Sequence, residues 1–193
     1  MNRLKKSLSS FWYLYVFLPL LGVVLLCYST YLVNKPRGIE TISIFIGSLS
    51  TSSTSLRETL EENKPSYLRE IIIRSYDYSD SSFSSCYSNF GRSDADIIIL
   101  PESKLNEETV MYYYAKLDES KINASKFYYP GTSSSPYGFL IHSKEKINNS
   151  LIEYSNDKYN EDYYVFFNKN SLHLGKEVDT CMRFVSLIKE KSL

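Results

Sequence analysis

The sequence has few of the residues on which metal sites and many catalytic sites depend. Its 193 residues include 2 His, 3 Cys and 1 Trp. Without a Cys-x-x-Cys pair or a His-rich spacing, we expect no metal site. A Gly-x-Ser-x-Gly elbow is also lacking, and Gly47 is followed by Ser48 without the lysine or second glycine of a phosphate-binding loop. These absences favour a protein that has no cofactor and is not an enzyme.

The charge of the chain is balanced overall but unevenly distributed. The 22 basic and 22 acidic residues give a formal net charge of zero. Residues 1–37 hold five basic residues and no acidic one, which leaves the rest of the chain with a net charge of about −5. Because no basic patch occurs in residues 38–193, we do not expect nucleic acid as a partner.

A long uncharged segment follows the first basic residues. From Phe11 to Val33 the chain is apolar or aromatic almost throughout, about 23 residues, which is enough to cross a hydrocarbon core of ~30 Å. Arg3, Lys5 and Lys6 precede it, so the positive-inside rule places the N-terminus in the cytoplasm and the later residues outside the cell.

Two other interpretations of this segment remain open. Cys27 could carry a lipid, although Leu26 stands where a lipoprotein signal has a small residue. Cleavage after Ser29 is the second alternative. We favour an uncleaved signal-anchor. The predicted organisation is therefore a cytoplasmic basic N-terminus (1–10), a transmembrane anchor or uncleaved signal (11–33), a linker (34–38) and an extracellular domain (39–193).

Three apolar runs have the length of buried strands. They are Ile42 to Ile46, Ile71 to Ile73 and Ile97 to Leu100. Helical patterns separate them: a capping box at Ser55 and Glu58 begins the first, and the second carries apolar residues at positions 83, 86, 87 and 90. Strands alternating with helices predict right-handed crossovers. The fold class expected is α/β, a single three-layer αβα domain with a mostly parallel sheet.

The later part of the chain adds helices and strands to this domain. Asn106 is positioned to cap a helix from Glu107 to about Leu117. Residues 127–129 and 137–142 flank a turn-rich segment and predict a hairpin, and residues 163–167 predict another strand. Asp179 or a neighbouring residue is positioned to cap a final helix. Cys86 and Cys181 lie 95 residues apart with no disulfide framework, so free thiols are favoured over a bridge.

Polar side chains follow several of the predicted strands. Because ligands bind beyond the carboxyl ends of strands in open α/β sheets, we predict that these residues share one rim of the sheet. Hydroxyls, an amide, a carboxylate and aromatic rings suit a small polar solute such as a sugar. The predicted ligand-binding residues are Ser48, Ser50, Glu102, Ser103, Tyr129, Tyr137 and Asn168.

Glu102 and His173 are a candidate acid–base pair in this sequence. Glu102 and His173 could act together if they stood at neighbouring strand ends. The interpretation that His173 is a loop residue hydrogen-bonded to backbone is favoured, and no catalytic residue is assigned.

Five segments resemble a known family. They are ISIFIGS (42–48), IIIRSYDYS (71–79), SDADIIILPESKL (93–105), PYGFLIHS (136–143) and YYVFFNKNS (163–171). Together they resemble the first lobe of extracellular solute-binding proteins of ABC importers, the periplasmic-binding-protein-like fold of the second type. The resemblance covers roughly residues 40–175 and implies that Ser48, Glu102, Tyr137 and Asn168 lie near a ligand cleft.

The chain departs from that family at its C-terminus. Family members have a second lobe, whereas 18 residues follow Gly175 here. A single lobe leaves a ligand exposed on one side. The resemblance thus implies a membrane-anchored protein that recognises a small polar solute for an importer permease. The alternative is a non-catalytic extracellular module that docks on a membrane or cell-envelope partner and does not bind solute.

Overall fold

The structure is a computed structural model that describes residues 12–34, 38–146, 151–156, 158–175 and 179–190, with backbone alone for residues 12–15, 33 and 34. The chain divides into two units, Met1–Arg37 and Gly38–Leu193. The predicted basic N-terminus and most of the predicted linker lie outside the described residues.

The described part of the first unit, residues 12–34, is one helix. Helix α1 runs from Trp12–Asn34 and includes Pro19. Among the described residues, no helix satisfies both the length and the apolarity required for crossing a membrane. The structure therefore shows the expected helix and gives no support to a span at residues 11–33.

The second unit contains eight strands and four helices among the described residues. The strands are β1 (Thr41–Ser48), β2 (Ser50–Thr51), β3 (Glu70–Asp77), β4 (Ile97–Pro101), β5 (Phe127–Tyr128), β6 (Gly138–His142), β7 (Ile152–Glu153) and β8 (Tyr163–Phe167). The helices are α2 (Ser53–Glu62), α3 (Phe83–Cys86), α4 (Glu107–Tyr113) and α5 (Thr180–Glu190), and a π-helical turn, Tyr87–Gly91, continues α3.

Six of the strands form one mixed sheet in the order β3-β1-β4-β8-β6-β5. Strands β3, β1 and β4 are parallel, as the alternation of strands and helices predicted. Strands β8, β6 and β5 continue the sheet antiparallel. The hairpin between β5 and β6 explains part of this change, since a short turn can join only antiparallel strands. The sheet is therefore parallel in one half and antiparallel in the other.

Helices pack against the sheet. On the first face, the Phe45 ring packs against Phe83 of α3 and Tyr87 of the π-helical turn. On the second face, Ile44 and Ile97 lie beside one another. The buried residues of α5 include Phe184 and Ile188. Helix α2 contacts α5. The second unit is therefore a mixed α/β domain built on a six-stranded sheet, as expected, and the three-layer arrangement stays a prediction.

The helix ends agree with two of the three predicted caps. The Asn106 side chain accepts a hydrogen bond from the Thr109 amide at 2.9 Å, and Asp179 accepts one from the Met182 amide at 3.0 Å. The capping box at Ser55 was wrong, because α2 begins at Ser53 and Ser55 lies inside its first turn.

Candidate functional site

A cluster of three hydroxyl groups lies at the carboxyl ends of β1 and β3. Ser48, the last residue of β1, is fully buried. Its Oγ lies 2.7 Å from Thr51 Oγ1 and 3.5 Å from Ser75 Oγ on the adjacent strand. Ser75 in turn donates to Thr51 Oγ1 at 2.7 Å. These bonds fix the chain where it leaves β1 and turns toward α2.

An open groove of about 440 Å³ lies beside this hydroxyl cluster. Its lining residues are Leu49, Ser50, Thr51, Ser53, Ile73, Arg74, Ser75, Tyr76 and Asp77. The Arg74 guanidinium stands 5.0 Å from the centre of the Phe90 ring, which holds this cation close to the sheet. The volume is within the usual range for small-molecule sites, and the hydroxyls supply both hydrogen-bond donors and acceptors.

Glu102 and Ser103 lie at the same edge of the sheet, at the end of β4. Both residues are exposed. The Ser103 amide and hydroxyl both donate to the Glu161 carboxylate, at 2.9 and 3.0 Å. The Glu102 amide donates to the Asp162 carbonyl at 2.9 Å. These contacts tie the end of β4 to the segment that enters β8, and they occupy the Ser103 side chain.

An ion pair closes this segment. Lys126 Nζ lies 2.8 Å from Asp162 Oδ2, and the Lys144 amide donates to Asp162 Oδ1 at 3.0 Å. Burial acts to raise the pKa of Asp162, but these hydrogen bonds outweigh burial and lower its pKa below the ordinary value of 3.8. The same bond from Asp162 raises the pKa of Lys126. Both groups therefore stay ionised near neutral pH.

A buried aromatic cluster flanks the ion pair. The His142 ring stacks on Tyr154 at a centroid distance of 4.3 Å, and the Tyr163 hydroxyl donates to the Tyr154 carbonyl at 2.7 Å. Burial lowers the pKa of His142 and raises the pKa of Tyr78 to about 12. These groups are therefore neutral at physiological pH and contribute packing.

Three of the seven predicted site residues lie at the opposite edge of the sheet. β8 runs antiparallel to β4, so Asn168 lies near the start of β4, where its amide side chain donates to the Ser93 carbonyl at 2.7 Å. Tyr137 is buried before β6, and exposed Tyr129 donates to Glu119 at 2.5 Å. The prediction of one shared rim is wrong, because β8 runs antiparallel to β4 and the hairpin next to it is placed so that residues 129 and 137 lie beside the end of β8. Ser48, Ser50, Glu102 and Ser103 share an edge.

Glu102 and His173 do not stand at neighbouring strand ends, so the structure does not bring them together as an acid–base pair. His173 is buried, and its Nε2 donates to the carbonyl of Thr41 at 2.9 Å, at the first residue of β1. Glu102 follows the last residue of β4, at the opposite edge. The favoured interpretation of His173 as a loop residue bonded to backbone is confirmed.

Two residues of the groove, Thr51 and Ser75, were not among the predicted site residues. Ser75 follows Ile71 and Ile73 at a spacing of two, so its hydroxyl faces the same side of β3 as two isoleucines. A hydroxyl that interrupts an apolar strand face needs a hydrogen-bond partner. This pattern in the sequence could have identified Ser75.

Cysteines and acidic residues add no metal site in the part of the chain that the structure describes. No group of three or more His, Cys, Asp or Glu residues is arranged to hold a metal ion there. Cys27, Cys86 and Cys181 are free, as favoured for the last two, and Cys181 is buried.

Comparisons of the chain with protein-family models, with curated proteins and with solved structures found no match.

Proposed function

We propose that the domain formed by residues 38–193 recognises a small polar solute, with a sugar as the leading class, and does so without catalysis. The observation that carries this proposal is the groove of about 440 Å³ at the carboxyl ends of β1 and β3, with Ser50, Thr51 and Ser75 in its wall. In open α/β sheets this is the edge at which ligands bind.

The chemistry of the groove favours a neutral, hydroxylated solute. Arg74 and Asp77 contribute one charge of each sign, and Tyr76 offers a ring for stacking. Hydroxyl groups can act as donor or acceptor as the solute requires. Because the groove is open on one side, we expect weak binding unless a partner covers it.

The role in an importer belongs to the same proposal and rests on the sequence. The resemblance to the first lobe of solute-binding proteins supports delivery of the solute to an importer permease. The basic residues before an apolar segment support a position outside the cell membrane, anchored through residues 11–33.

A second function, docking on a membrane or cell-envelope partner without solute, is favoured by one observation. Several of the predicted ligand-binding side chains already have partners within the domain: Ser48 with Thr51, Ser103 with Glu161, and Asn168 with Ser93. Side chains that are already hydrogen-bonded have fewer free donors and acceptors for a solute. A surface that binds no solute is available to a protein partner.

The test is thermal unfolding of the full chain with a panel of sugars, amino acids and peptides. A binding solute raises the unfolding temperature by mass action, and a hundredfold excess over Kd adds ~2.7 kcal/mol. Ser75→Ala should reduce the shift, whereas Ser103→Ala, a serine at the same edge outside the groove, should leave it unchanged. A panel without any shift would favour docking. A shift lost with Ser103→Ala or Glu102→Gln, and kept with Ser75→Ala, would move the site to the end of β4.

A further inference from the structure

Strand β3 is the outermost strand on one side of the main sheet, and its free side forms a long open edge that runs along the strand. It pairs with β1 on one side and has eight residues, whereas β5, the last strand on the other side of the sheet, has two. Among the described residues, no backbone group outside β1 hydrogen-bonds to β3 between Glu70 and Tyr76. An edge of this length carries unpaired N–H and C=O groups that can accept another strand.

The side chains of this edge alternate in a self-complementary order. Glu70, Ile72 and Arg74 point to the first face of the sheet, and Ile71 and Ile73 point to the second. Glu70 is exposed, and Ile72 and Ile73 are partly exposed. Within the described chain, neither Glu70 nor Arg74 forms an ion pair, whereas the neighbouring Arg69 lies 3.6 Å from Glu40.

We infer that β3 pairs antiparallel with β3 of a second copy of this chain, about a two-fold axis at Ile72. In that register Glu70 stands opposite Arg74 of the second copy, twice by symmetry, and Ile71 stands opposite Ile73. Opposite charges and β-branched residues that face each other across strands stabilise antiparallel pairs. An isologous contact of this kind closes as a dimer.

The charges distinguish this edge from one that is protected against pairing. Protected edges carry charges, especially lysine, that oppose a neighbouring strand. Here the two signs are spaced four residues apart, so that each charge meets its opposite when the strand is reversed. The two copies would form one continuous sheet.

This inference stands apart from the proposed solute site, although the groove shares residues 73–77 with the edge. A dimer that binds no solute would refute only the proposed solute site. A monomer that binds solute would refute only the dimer.

Disulfide cross-linking of the full chain in detergent tests the pairing, in a Cys27→Ser background that removes the exposed native thiol. Residues directly opposite in an antiparallel pair have Cα atoms about 4.5–5.5 Å apart, which a disulfide can join. Ile72→Cys places a thiol opposite its own copy and should give a dimer of twice 22.4 kDa. Asp77→Cys is the control, because its two copies would lie roughly 34 Å apart.

Charge variants in the Ile72→Cys background test the register. Glu70→Arg and Arg74→Glu each create like-charge pairs and should raise the apparent Kd of the dimer at least about tenfold, ~1.4 kcal/mol. The double variant Glu70→Arg/Arg74→Glu should restore dimer formation, which also shows that the altered chains fold. Equal cross-linking at positions 72 and 77, or a double variant that does not recover, overturns the inference. An Ile72→Cys chain that stays monomeric also overturns the inference, and this is the result expected if β3 accepts a strand from a different protein.

Discussion

Replacing Asp96 by alanine should destabilise the protein more than most substitutions outside the apolar core. Asp96 stands immediately before β4. Its carboxylate accepts hydrogen bonds from the Ser43 amide at 2.8 Å and the Ser171 hydroxyl at 2.7 Å, and it lies 3.2 Å from the Ser43 hydroxyl. One side chain thus joins β1, the start of β4 and the loop after β8.

The size of the effect follows from the donors that would lose their acceptor. Ser43 is 8% exposed, so water has little access to its amide. Bonds to a charged acceptor contribute ~1.5–3 kcal/mol each, and a buried donor left unpaired costs ~1–3 kcal/mol. The Ser43 hydroxyl lies 2.8 Å from the Asp94 carbonyl and keeps that acceptor. Because Asp96 is partly exposed and water replaces some of the loss, we expect a decrease of ~2–4 kcal/mol in the free energy of unfolding.

Urea unfolding of the full chain measures this decrease, and Asp94→Ala is the matched control. Asp94 is exposed, and its side chain accepts a bond from the adjacent Ser93 hydroxyl at 2.9 Å. Its replacement should change stability by no more than about 0.5 kcal/mol. For a chain of this size, ~3 kcal/mol corresponds to a fall in Tm of roughly 6–12 °C. A loss below about 1 kcal/mol for Asp96→Ala, or one equal to the control, would refute the reasoning.

Two further predictions concern the antiparallel half of the sheet. A Cβ on Gly138 would lie 2.5 Å from Phe166 Cε1 and 2.8 Å from a backbone oxygen, so Gly138→Ala should lower the free energy of unfolding in urea by ~1–3 kcal/mol or more. Gly38→Ala is the control and should cost less, because the nearest atom to its added Cβ lies at 3.5 Å. Equal losses would contradict the packing argument. The lowered pKa of Asp162 means that its contribution to stability is present above the unfolded pKa of 3.8 and is lost as the pH falls through the lower folded pKa. Lys126→Met should shrink this acid-induced loss, measured by urea unfolding at pH 6 and at successively lower pH. An unchanged pH profile would show that the ion pair does not lower the pKa of Asp162.

Local pattern was sufficient for much of the fold. Ile97 to Leu100 is fully apolar and bounded by Asp96 and Pro101, and it forms a buried central strand as predicted. The helix caps at Asn106 and Asp179 were also predictable, because a cap depends on a side chain and an amide three residues later. The capping box at Ser55 failed because several serines and threonines in a row offer competing start positions.

The site depended on information that no local pattern contains. Strand direction decides at which edge of the sheet the end of a strand lies. The apolar sequence of β8 does not indicate whether the strand runs parallel or antiparallel to β4. The antiparallel direction carried Asn168 away from Glu102 and brought it to Ser93. The sequence alone determined where the longer strands and the helices lie, because these follow from the spacing of neighbouring residues. Only the tertiary structure decided which polar residues share an edge of the sheet, because that depends on contacts between residues far apart in the chain.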